Sequence, residues 1–72
     1  MSHTPKRHAY LVAVAQKREA VRVYAVMAIT AYEALEAVAL NVPPKTKVEI
    51  VGSLSRALVK RIRLVPGELR LV

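Results

Sequence analysis

A chain of 72 residues with no Cys, 12 Lys and Arg against five acidic residues, and a formal net charge of +7 excludes a disulfide framework, a thiolate metal site and a multi-domain arrangement. Its 54% apolar content exceeds what one small domain hides, because a chain of this length buries only about 60% of its unfolded surface. A homodimer or higher oligomer, with a self-complementary apolar patch closed against a second copy, is therefore expected.

Residues 1–8 include Pro5, Lys6 and Arg7 and show no periodicity, which predicts a basic flexible arm before a single domain over residues 9–72. Residues 9–15 and 20–29 are rich in Val, Tyr and Ile and read as two strands. The polar Gln16-Lys17-Arg18-Glu19 between them fits a hairpin loop. Thr30-Ala31-Tyr32-Glu33 matches a capping box and opens a helix with Ala31, Ala34, Leu35 and Val38 on one stripe, stopped by Pro43-Pro44. Residues 47–51 alternate and predict a third strand ended by Gly52. Ser53 or Ser55 caps a second helix over residues 54–62, with Leu54, Leu58 and Ile62 as its apolar side. Pro66-Gly67 carries type II turn chemistry, and Leu69 and Leu71 form an optional short C-terminal strand. The order is ββαβα with that optional strand, a two-layer α+β fold with an antiparallel hairpin at the N-terminus.

The residues needed for catalysis are scarce. All five acidic side chains are Glu, and His3 and His8 both fall in the arm, where nothing holds a general base against a substrate. Glu33 and Glu36, three residues apart on a helix and opposite its apolar stripe, read as a solvated face. Two His on an arm fall short of a closed metal site. No enzyme, no cofactor and no small-molecule substrate are expected. The longest stretch without a charged side chain, residues 23–32, is well below the roughly 18 residues needed to cross a bilayer. The apolar run behind the basic start is broken at Gln16-Lys17-Arg18, unlike a signal peptide. No membrane partner and a cytoplasmic location follow as expectations.

Charge is the remaining signal, and it is segregated. Residues 30–44 hold two Glu and no Lys or Arg, whereas residues 53–72 carry Arg56, Lys60, Arg61, Arg63 and Arg70 against Glu68. Arg56, Lys60 and Arg63 fall at i, i+4 and i+7, one face of the second helix. Lys17, Arg18 and Arg22 make a second basic element at the hairpin, and Lys6-Arg7 a third. This set, Arg56, Lys60, Arg63, Arg61, Lys17, Arg18 and Arg22, is the candidate nucleic-acid-binding surface, acting mainly on phosphates. With no Phe or Trp, and with Tyr10, Tyr24 and Tyr32 in no RNP-like arrangement, duplex DNA is favoured over a single strand. Gly52-Ser53-Leu54-Ser55 could hold a phosphate on exposed N–H groups, but reads more simply as a strand end followed by a helix cap. The alternative to nucleic acid is a protein-interaction or inhibitory module that docks on an acidic partner or adds an edge strand to it. A basic amphipathic helix touching anionic membrane is a third reading, for which residues 54–63 are short and lack an aromatic anchor.

Leu54-Ser55-Arg56-Ala57-Leu58-Val59-Lys60-Arg61-Ile62-Arg63-Leu64-Val65-Pro66-Gly67-Glu68 resembles the helix-then-turn portion of swapped-hairpin transcription factors of the AbrB kind. There a short helix leads to a Leu-x-Pro-Gly-acid turn and a strand. The resemblance spans these residues alone, with Ser55 where the family has Pro and Arg63 where it favours Gly. It implies a dimeric DNA binder.

Overall fold

A computed structural model describes residues 6–15 and 21–72. It consists of β1 (His8–Ala15), β2 (Arg22–Ala28), α1 (Ala31–Ala39), β3 (Lys47–Leu54), α2 (Arg56–Ile62) and β4 (Leu69–Leu71), an α+β fold in the expected element order. The strands form one antiparallel sheet in the order β3-β1-β2-β4. β1 and β2 are the N-terminal hairpin, with His8 opposite Ala28 and Val14 opposite Arg22, and β4 supplies the optional C-terminal strand. Of the arm, Lys6, Arg7 and His8 are among the described residues, and His8 already begins β1.

Strand alternation assigns the two faces of the sheet. Val12 and Val14 of β1 and Val26 and Ala28 of β2 are buried with Ala34 and Val38 of α1, and Tyr10, Tyr24, Val48, Ile50 and Leu69 pack around them. This face and α1 make one complete helix–sheet layer pair. The odd-numbered residues point the other way: Ala9 and Ala25 are buried with Leu64, against Leu11, Met27, Leu54, Val59 and Ile62. Helix α2 thus lies over the opposite face, at the end where β1 begins and β2 finishes. With apolar residues on both faces, β1 and β2 are apolar nearly throughout rather than alternating.

A bulge in β3 explains how the chain reaches that second face. Leu11 pairs with Gly52 but Val12 pairs with Ile50, so Val51 has no partner on β1. One extra residue reverses the alternation beyond it. Val48 and Ile50 point toward α1, whereas Leu54 points to the other side and packs with Ala9. Gly52 therefore does not end the strand, as its sequence context suggests; it sits inside it, opposite Leu11. A Cβ there would stand 3.4 Å from Leu11 Cδ1, the tip of a flexible side chain, so the space at Gly52 does not by itself demand glycine.

The helix caps follow the sequence signals. Glu33 N–H donates to Thr30 Oγ1 at 3.1 Å at the start of α1, and Leu58 N–H donates to Ser55 Oγ at 3.3 Å at the start of α2. Ser55, not Ser53, is the cap, so Leu54 belongs to β3 and not to the helix. Pro43-Pro44-Lys45-Thr46 closes a turn, with Thr46 N–H donating to the Pro43 carbonyl and Lys45 at φ 77. Val65-Pro66-Gly67-Glu68 does the same with Gly67 at φ 86 and Glu68 N–H on the Val65 carbonyl, the expected type II geometry.

Candidate functional site

Helix α2 is short, and its orientation is set by three apolar side chains and two polar ties. Val59, Ile62 and, just beyond the helix, Leu64 pack on the sheet. The expected apolar side of Leu54, Leu58 and Ile62 is thus corrected: Leu54 is a strand residue, and Leu58 is 42% exposed. The helix ends in paired reverse bonds, Arg63 N–H to the Lys60 carbonyl at 3.3 Å and Leu64 N–H to the Val59 carbonyl at 3.2 Å. This closure places Arg63 in the left-handed region, φ 55 and ψ 44.

Arg70 supplies the second tie. Pairing of Arg70 with Ala25 puts its side chain on the α2 side of the sheet. There its Nη1 donates to the Ile62 carbonyl at 2.7 Å, and its Nη2 meets Glu68 Oε2 at 2.8 Å. The guanidinium, hydrogen-bonded to Glu68, holds that carboxyl below its ordinary pKa, and the Val65 N–H adds to the effect. Among the described residues this is the ion pair. Arg70 therefore anchors the end of α2 and is not a free cation.

Between α2, the start of β1 and the turn at Pro66 lies an open cleft of about 440 Å³. Lys6, Arg7, Arg56 and Lys60 line it, and among the described residues no acidic one does. Its apolar lining comes from Ala9, Met27, Leu54, Val59 and Pro66. His8 also lines the cleft, its ring edge-on to Tyr10 with centroids 6.2 Å apart. Two candidates from the sequence, Arg56 and Lys60, meet here with Lys6 and Arg7, which the sequence assigned only to a third, mobile element.

The other candidates lie elsewhere. Arg61 and Arg63 are exposed on α2 and its end but are not among the cleft residues. Arg22 is exposed at the start of β2, opposite Val14. Six strand steps at about 3.3 Å per residue put it about 20 Å along the sheet from Ala28, at the end away from the cleft. Lys17 and Arg18 lie outside the described residues. The Gly52-Ser53-Leu54-Ser55 segment is strand followed by cap. Among the described residues no three His, Cys, Asp or Glu side chains converge as a metal site would need, and no helix is long and apolar enough to cross a membrane. No family model, curated protein or solved structure matches the chain.

Proposed function

We propose that the protein binds nucleic acid, duplex DNA in preference, by contacts to phosphates from Lys6, Arg7, Arg56 and Lys60, and that it acts as a homodimer in the cytoplasm. The convergence of these four cations on one cleft, with no acidic neighbour among the described residues, carries the reading. Clustered cations of this kind release counterions from a polyanion, and Arg adds bidentate contacts to phosphate oxygens. The exposed Val51, Leu71 and Val72 favour pairing with a second copy, which would double the cationic set. The absence of Cys fits a reducing compartment.

A second reading draws on β3, an eight-residue strand at the edge of the sheet. Such an edge can take an added strand from a protein partner. Lys47, Glu49 and the bulge at Val51 act against it, as charged and bulged edges discourage pairing.

Fluorescence anisotropy with duplex DNA, single-stranded DNA and RNA over a range of salt concentrations tests the proposal. Duplex binding that persists near physiological salt is expected. It should fall roughly tenfold or more in Arg56→Glu with Lys60→Glu, while circular dichroism and sedimentation show the fold and the oligomeric state unchanged. Equal affinity in that folded double variant would refute the site. No binding by the unaltered protein would move the assignment to a protein partner.

A further inference from the structure

We propose that the cleft accepts one unstacked nucleotide of a bound strand, its base on the apolar floor and its flanking phosphates on the cationic rim. The inference rests on the nucleic-acid reading and gives the cleft a task beyond phosphate contact. Phosphate binding by itself needs only exposed Lys and Arg on a convex surface. Here the four exposed cations line a recess together with the buried or half-buried Ala9, Met27, Leu54 and Val59, which form its apolar floor. That floor is apolar surface open to water, and the four like charges around it repel one another, with no carboxylate among the described lining residues. An anion with a flat apolar body relieves both costs.

Size and charge narrow the choice. The volume of about 440 Å³ lies in the range of small-ligand sites, roughly 300–1,000 Å³, and a base pair within a duplex is too wide to enter. A fatty acid would call for a closed tunnel, whereas this recess is open along its rim. A strand passing over the opening brings a phosphate on each side of the inserted nucleotide, which matches cations from two directions: Lys6 and Arg7 before β1, Arg56 and Lys60 on α2. The floor lacks an aromatic ring, but apolar side chains also bracket extruded bases. A nucleotide left unpaired costs least to extrude, so the cleft should select strands that contain one.

The test uses the unaltered protein and three labelled duplexes of one length: fully paired, carrying one unpaired nucleotide, and carrying an abasic residue at that position. The expected result is binding about tenfold tighter to the duplex with the unpaired nucleotide than to the other two, the gain from covering roughly 60 Å² of apolar surface at about 25 cal/mol per Å². Chemical shift changes should centre on Ala9, Met27, Leu54 and Val59. Equal binding to all three would overturn the nucleotide site and leave phosphate contact standing. If no duplex binds, the nucleic-acid reading fails, and a nucleoside monophosphate compared with ribose phosphate and inorganic phosphate decides the cleft separately. Shifts at the floor that require the base support it; shifts that do not require the base overturn it.

Discussion

Arg63 sits in a backbone conformation that its side chain does not favour, and replacing it should stabilise the protein. Its φ of 55 and ψ of 44 place it in the left-handed region, where the Cβ of any L-residue crowds the following carbonyl. That crowding costs about 1–2 kcal/mol. Glycine removes the crowding but returns about 0.4–1 kcal/mol through the greater freedom of its unfolded chain. The difference, about 0–1.6 kcal/mol with a midpoint of about 0.8 kcal/mol, makes Arg63→Gly the more stable protein, by about 3–6 °C in melting temperature at that midpoint for a domain this small. Arg63→Ala is the control: it deletes the same cation but keeps the Cβ, so it should fall close to the parent. Thermal unfolding of the three proteins by far-ultraviolet circular dichroism makes the comparison. An Arg63→Gly protein no more stable than Arg63→Ala would show that the helix end is not strained as argued. Because Arg63 is not among the cleft residues, duplex affinity should stay unchanged in both variants.

Two further expectations concern how α2 is held. Ile62→Ala should cost about 1–2 kcal/mol as a half-buried anchor, while Leu58→Ala should cost under about 0.5 kcal/mol; urea denaturation giving the reverse order would put Leu58, not Ile62, against the sheet. For the Glu68–Arg70 pair the sign follows from the lowered carboxyl pKa. Its contribution is present above the ordinary Glu range and is lost as pH falls through the lowered folded value. The parent should therefore exceed Glu68→Gln in stability at neutral pH and converge with it in acid, by an amount that salt reduces because the pair is partly exposed. A gap that stays constant into acid would mean that the pair is not its source.

The elements were legible because each is announced locally. Thr30 and Ser55 supply cap oxygens, Pro66-Gly67 supplies a positive φ, and the Val-rich runs on either side of Gln16 leave little choice but strands. What was not legible depends on a single residue. Gly52 follows an alternating run and resembles a strand end, but the pairing with β1 continues to Leu54 because Val51 is extruded. That shift moves the start of α2 from Leu54 to Arg56, turns the helix so that Val59 rather than Leu58 faces the sheet, and sends α2 to the second face. The apolar excess that predicts a second copy is then taken up in part within the chain, by the packing of Val59, Ile62 and Leu64 on Ala9 and Ala25. The site was legible by half for a related reason. Helical spacing brings Arg56 and Lys60 together, but nothing in the sequence tells that Lys6 and Arg7 lead into the strand beside them.

Counting charges along the chain therefore overstates what a polyanion meets at one place. Arg70 is committed to Glu68 and the Ile62 carbonyl, and Arg22 stands about 20 Å from the end of β2 beside the cleft. Four cations at one site, each neutralising one phosphate, give a slope of log affinity against log salt of about −3.6 on duplex DNA. Engagement of the cleft on both protomers of a dimer would bring it to about −7, since the slope grows by about 0.9 for each phosphate neutralised. A slope nearer the first value in a protein that sediments as a dimer would mean that the two clefts do not reach the same duplex. The dimer's role would then be to cover apolar surface rather than to extend the binding face. A slope nearer the second requires both clefts to open toward one side of the assembly, which restricts the interface to surfaces away from α2, Lys6 and Arg7.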